Sequence, residues 1–144
     1  SVMIRDNRIE SAYNKGISVI NYNYDQNINI LDNTIGATRN DGISYVDMPL
    51  VSAETVGINI VNSSNEINIS NNTINQALKY GISVYSQPNN FGKVIENEIK
   101  AAEQGGILLN EYFLTKRKFD IQQNIFGEKV DPQIVPYFYH RQIR

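Results

Sequence analysis

An Asn followed two positions later by an apolar residue recurs along this chain, as Asn7 with Ile9, Asn33 with Ile35, Asn72 with Ile74, Asn97 with Ile99 and Asn124 with Phe126. The intervals between successive Asn are 26, 39, 25 and 27 residues. A second marker, Gly-Ile, stands at Gly16, Gly42, Gly81 and Gly106, each nine residues after its Asn. A unit of about 25 residues cannot bury an apolar face on its own, so a chain built of such units must stack them into a solenoid. The interval of 39 is one repeat plus 13 residues, and the surplus falls after Gly42. Residues 47–55 therefore read as an inserted loop, with the off-phase Gly57-Ile58 as the resumption of the coil.

Alignment on the Asn exposes alternation of period two in the approach to it. Apolar residues stand three before (Ile4, Ile30, Ile69, Val94, Ile121) and five before (Val2, Ile28, Ile67, Phe119), with Gly92 as the exception. After each Gly the same alternation puts Ile17 and Val19, Ile43 and Tyr45, Ile82 and Val84, and Ile107 and Leu109 on one face, and Ser18, Ser44, Ser83 and Leu108 on the other. Such alternation marks half-buried strands. Five residues after the Asn come Ala12, Thr38, Ala77 and Ala102, small enough for a tight corner. The expected unit is a strand, a turn at Asn, a short strand, a polar bend and a strand opened by Gly. Stacked units would pair their strands in parallel about 4.8 Å apart and pile their Ile side chains into interior columns.

The composition agrees, with 20 Asn and 21 Ile among 144 residues. Asn is a poor helix former and Ile is stiff at χ1, so strands and turns should dominate. Asn also tolerates the left-handed conformation and can hydrogen-bond its equivalent one coil away, which assigns the five repeated Asn to the scaffold.

Several functions are disfavoured. A net charge of -2 supplies no basic field for a nucleic acid, and no apolar run approaches the roughly 18 residues of a bilayer span, so neither partner is expected. There is no Cys, and His140 is the single histidine, so a thiolate site, a histidine-based nucleophilic triad and a multi-histidine metal site cannot be built from this chain alone. The glycines are isolated strand openers rather than a phosphate-binding loop. No metal or cofactor is expected. Sequons at Asn62 and Asn68 are what chance supplies in an Asn-rich repeat.

In NINILDNTI (27–35) with GISYV (42–46), EINISNNTI (66–74) with GISVY (81–85), and VIENEI (94–99) with GILLN (106–110), the chain resembles the right-handed parallel β-helices of the pectin lyase-like group. The resemblance implies an all-β solenoid of about five coils over residues 1–127, with a C-terminal cap or tail over 128–144. Pro132 and Pro136 are expected to end strand pairing there. Because Val2, Met3 and Ile4 already lie in a strand, the segment reads as part of a longer solenoid. The group includes polysaccharide lyases, hydrolases and epimerases, phage tailspikes and appendages, and noncatalytic surface proteins. Its Asp-Pro-His-Asp, Gly-His-Gly and Arg-bearing calcium signatures are not found here.

Enzymes of that group work in a groove along the strand opened by Gly and the bend after it, a strip that here collects Ser18, Tyr22, Tyr24, Asp25, Ser44, Asp47, Tyr85, Asn110, Glu111 and Tyr112. Asp25, Asp47 and Glu111 are the candidate catalytic carboxylates, since a pair about 5 to 10 Å apart can act on a glycosidic bond. Tyr22, Tyr24, Tyr85 and Tyr112 are the candidate substrate-binding residues, suited to stacking on sugar rings. Lys15 and Asp41, stacked before their glycines, read as a surface ion pair rather than a site. The expected function is that of an extracellular or virion-associated segment that binds a cell-surface polysaccharide and, in a full-length protein, could cleave or modify it. The resemblance to tailspikes adds the expectation of a homo-oligomer, a trimer. The rival expectation is a noncatalytic stalk, adhesin or phage appendage module whose coils only set distance.

Overall fold

The computed structural model describes residues 1–47, 64–87, 89–110 and 118–137. Residues 48–55 of the expected insertion, Gly57-Ile58, the sequon at Asn62, Glu111, Tyr112 and His140 lie outside the described residues. Fifteen strands and no helix make up the described residues. They fall into five rungs of three strands: β1 (Val2–Arg5), β2 (Arg8–Ala12) and β3 (Ile17–Asn21); β4 (Asn27–Leu31), β5 (Thr34–Thr38) and β6 (Ile43–Asp47); β7 (Glu66–Ser70), β8 (Thr73–Ala77) and β9 (Tyr80–Tyr85); β10 (Phe91–Ile95), β11 (Glu98–Ile99) and β12 (Gly105–Asn110); β13 (Phe119–Gln122), β14 (Ile125–Phe126) and β15 (Ile134–Tyr137).

Equivalent strands stack into three five-stranded parallel sheets, A (β1-β4-β7-β10-β13), B (β2-β5-β8-β11-β14) and C (β3-β6-β9-β12-β15). The chain is thus an all-β parallel solenoid of about four turns. Register follows the repeat: Ile4, Ile30, Ile69, Val94 and Ile121 form one column, and Ile17, Ile43, Ile82, Ile107 and Ile134 another. The inward Ile of the middle rungs, Ile30, Ile35, Ile43, Ile69, Ile74, Ile82 and Ile107 among them, are fully buried. Each contributes about 1.5 to 3 kcal/mol by removing its side chain from water, which makes these columns the main cohesive element. Gly92 occupies an inward position between Ile67 and Phe119, with φ 156°, and a Cβ there would lie 1.8 Å from the Ile67 carbonyl oxygen. The apolar column is interrupted because the backbones are too close for a side chain. Thr38, Ala77 and Ala102, the small residues expected at a tight corner, are buried.

The Asn ladder between sheets A and B forms, by a different backbone route from the one expected. The left-handed residues are those preceding the repeated Asn: Asp6, Asp32, Asn71, Glu96 and Gln123, with φ 57–58°. One such residue reverses the strand direction, which leaves the following Asn free to use its amide for stacking. Asn33 donates through both its backbone N–H and Nδ2 to Asn72 Oδ1, each at 3.0 Å, and Asn72 does the same to Asn97 Oδ1, each at 3.0 Å. Asn7 pairs with Asn33, and Asn97 with Asn124, in the same way. Each amide from Asn33 onward also donates to a carbonyl of the preceding rung, as Asn72 Nδ2 does to Ile30 O at 2.9 Å.

The prolines do not end strand pairing. β15 contains Pro136 and still pairs with β12, Pro136 facing Leu109 and Tyr137 facing Asn110. β15 is the edge strand of sheet C, where a proline is tolerated because only one neighbour asks for ladder bonds.

Candidate functional site

The outer face of sheet C and the turns that feed it form a cleft of about 360 Å³. Each of the first three rungs contributes at the start of its sheet C strand: Lys15 from the turn of the first, Asn40 and Asp41 from the turn of the second, and Lys79 with Tyr80, the first residue of β9, from the third. Ser44, Val46 and Tyr85 come from the outer face of β6 and β9, and Gln104 from the fourth rung. Strand alternation explains the floor, since Ser44 and Val46 point away from the interior occupied by Ile43 and Tyr45. Ser44 and Ser83, expected on the outer face, are nevertheless 1% and 0% exposed, and the Ser83 hydroxyl is bonded to Asp41.

Asp41 is held rigidly at this cleft. Its Oδ1 accepts the Tyr80 backbone N–H at 3.1 Å, and its Oδ2 accepts the Ser83 hydroxyl at 2.8 Å. Its backbone N–H donates to Asn40 Oδ1 at 2.8 Å. The expected ion pair with Lys15 does not form; the ion pairs among the described residues join Arg5 to Asp6 and Asp32. Asp41 is 6% exposed, and its carboxylate points to the next rung, where it accepts these two donors. Each oxygen retains capacity for a second donor. Tyr85 is half-buried, and its ring meets Tyr137 edge-on at 4.7 Å between centroids. Burial, then the Asp41 charge, then Tyr137 and Tyr80, push its phenol up to about 12. The hydroxyl stays protonated at neutral pH and can both donate and accept.

A second polar cluster lies inside the solenoid, at the corner between sheets C and A. Asp47 follows Ile43 and Tyr45 in inward phase and is 1% exposed. Five donors converge on its carboxylate: the Tyr45 hydroxyl, Asn90 Nδ2, the Gln87 backbone N–H at 3.0 Å, the Ser86 hydroxyl at 3.3 Å and Asn21 Nδ2 at 3.5 Å. Asn21 Nδ2 also donates to the Tyr45 hydroxyl at 3.1 Å, and Asn110 Nδ2 to Ser86 O at 2.7 Å. Burial raises the Asp47 carboxyl above the usual carboxylate range, although the bonds from Tyr45, Gln87, Ser86 and Asn21 oppose it. Burial and the Asp47 charge raise the Tyr45 phenol as well. Beside this cluster Asn65 Oδ1 accepts the Gln26 N–H and Asn90 Oδ1 accepts the Asn65 N–H, both at 2.8 Å, giving a second, shorter Asn ladder.

The nominated residues are therefore dispersed. Tyr85 lines the sheet C cleft. Tyr22, 66% exposed, and half-buried Tyr24 lie at the C–A bend, away from it. Asp25 is exposed there, in the left-handed region with φ 55°, and its Oδ1 accepts the Ser64 N–H at 3.0 Å. Asp25 and Asp47 share no hydrogen-bonding partner among the described residues; one faces solvent and the other is an internal acceptor. Lys15, Asp41, Lys79, Tyr80 and Gln104 were not nominated. The available signal was positional: one or two residues before each sheet C Gly, successive rungs carry Lys, Asp, Lys-Tyr and Gln. Compared with known protein families, curated proteins and solved structures, the chain matches none.

Proposed function

We propose that this solenoid segment binds a cell-surface polysaccharide along the outer face of sheet C. The observation that carries the reading is the cleft itself. Tyr80 and Tyr85 offer ring surface for the apolar faces of a sugar, while Asp41, Asn40, Gln104 and the two lysines offer fixed donors and acceptors for hydroxyls. The cleft runs across several rungs, which suits a polymer rather than a single small molecule. The reading implies an extracellular or virion-surface setting, and a homo-oligomer would multiply the number of clefts and so the avidity.

Binding without cleavage is the form of the reading supported best. Hydrolysis of a glycosidic bond uses two carboxyl groups flanking it, and Asp41 is the one carboxylate that lines the cleft among the described residues. The noncatalytic stalk finds support in the Asn ladder, which ties all five rungs together independently of any ligand. A glycan array probed with the chain and with Tyr85→Ala separates the two. Glycan binding that falls at least about tenfold in the variant, with an unchanged melting temperature, supports recognition at the cleft. Absence of binding to every arrayed polymer overturns it in favour of the stalk.

A further inference from the structure

The charges facing the cleft alternate from rung to rung. Lys15 belongs to the first rung, Asp41 to the second and Lys79 to the third, and all three line the cleft. Neither lysine forms an ion pair with a carboxylate among the described residues. Arg39, the cation of the second rung nearest this corner, is turned elsewhere. Its guanidinium carbon stands 4.9 Å from the centroid of the Tyr13 ring, and both residues line a separate groove outside sheet B. With rungs about 4.8 Å apart, the backbones that carry Lys15 and Lys79 stand two rungs, about 10 Å, apart, with Asp41 on the rung between; Lys79 sits two residues before its Gly where Lys15 and Asp41 sit one before theirs.

From this alternation we propose that the cleft selects a linear polysaccharide bearing an anionic group on every second sugar, with an uncharged, hydrogen-bond-donating sugar between. The inference rests on the glycan-binding reading and adds the charge pattern of the ligand. An anionic sugar in the first rung meets Lys15, and the next anionic sugar meets Lys79. The intervening sugar presents hydroxyl or amide N–H groups to Asp41, whose oxygens can each accept one more donor beyond Tyr80 N and Ser83 Oγ. A polymer charged on every sugar would set an anion against Asp41, and this like-charge contact is what excludes it. A neutral polymer would satisfy Asp41 but leave both lysines without partners.

The test measures dissociation constants by calorimetry at low and at physiological salt. The probes are hyaluronan and unsulfated chondroitin, with a carboxylate on alternate sugars, polygalacturonate and alginate, with one on every sugar, and uncharged dextran. The expected result is binding of at least one alternating polymer at least about tenfold tighter than both other classes, weakening as salt rises. The Lys15→Gln, Lys79→Gln double variant should lose this preference and its salt dependence. Asp41→Asn, which keeps an acceptor for Tyr80 N, should instead gain affinity for polygalacturonate, and its melting temperature checks that the fold is kept. Equal or tighter binding of polygalacturonate, alginate or dextran by the unaltered chain overturns the charge pattern while leaving glycan binding intact. Failure of every polymer here, and of every glycan on the array, defeats both.

Discussion

Two corners of this solenoid use the same amide chemistry to opposite effect. Between sheets A and B, five identical Asn repeat one hydrogen-bonding pattern from rung to rung. Between sheets C and A, Asn21, Asp47, Ser86, Asn90 and Asn110 meet in a cluster where no two residues have the same partners. A uniform ladder satisfies every donor with an identical acceptor one rung on, so it transmits register and tolerates no variation. A mixed cluster satisfies its donors by converging on one charge, so its stability depends on that group's ionisation. The sharpest way to break the first corner is Asn72→Ala. It orphans the Asn33 backbone N–H and one Asn33 amide hydrogen, both buried, and takes from the Ile30 carbonyl one of two donors, the Ser70 N–H of the β4–β7 ladder remaining. At about 1 to 3 kcal/mol for each buried unpaired group, partly relieved by relaxation, the expected loss is about 4 kcal/mol in urea unfolding. A loss below about 1 kcal/mol would show that the ladder accompanies the stacking of Ile rather than supporting it.

At the mixed corner, Asp47→Ala should cost somewhat less, about 3 kcal/mol. It strands several buried donors but also removes a charge that the interior disfavours. Asp47→Asn isolates that charge. The carboxyl is raised in the folded chain relative to the unfolded one, chiefly by burial, so the folded state holds its proton more tightly. Its contribution is therefore fully present below the ordinary aspartate range and is lost as pH rises through the folded value. As pH falls from neutral through the folded value toward the ordinary aspartate range, the native chain should gain stability relative to Asp47→Asn. Guanidinium unfolding of both proteins across this range checks it, and a difference independent of pH would mean that the five donors outweigh burial. The uniform ladder contains no titratable group, so Asn72→Ala should leave the pH profile of the native chain unchanged in shape.

The same contrast explains what could be read from the sequence. The uniform corner was legible because its residues recur at fixed offsets, and the Ile columns with it. Asp47 carried a weaker signal: it continues the inward phase of Ile43 and Tyr45, yet it abuts an apparent insertion and so read as part of an exposed bend. Asn21 and Asn90, which had no role in the repeat, acquire one only when neighbouring rungs are stacked, Asn21 against Asp47 26 residues on and Asn90 against Asn65 25 residues before it. The cleft was partly legible. Ser44 and Tyr85 lie on strands, β6 and β9, whose alternation is plain, whereas Asp41 and Lys15 read as an ion pair because stacking alone predicts proximity and not side-chain direction. Asp41 bonds forward to Tyr80 and Ser83 because their N–H and hydroxyl offer two neutral donors without the loss of side-chain freedom that Lys15 would incur.

The smallest effect sharpens the comparison within the uniform ladder itself. Asn7 donates the same pair of bonds to Asn33 Oδ1 as Asn72 donates to Asn97 Oδ1, at the same 3.0 Å, so the donated bonds alone assign them equal weight, while Asn72 Oδ1 also accepts two from Asn33. Their surroundings differ: Asn72 is 1% exposed, whereas Asn7 is exposed and its amide otherwise reaches only Arg5 O. Asn33 Oδ1, the acceptor left behind by Asn7→Ala, keeps the backbone N–H of residue 7 as a donor, and water can replace the amide. The expected cost is below about 1 kcal/mol, several-fold less than for Asn72→Ala. If the two variants lose equal stability, hydrogen-bond geometry sets the strength of the ladder. If they separate as expected, the two bonds that Asn72 accepts from Asn33 and the exclusion of water by the stacked Ile columns make the buried Asn of the middle rungs the cohesive ones, and there the two repeating residue types act as one unit.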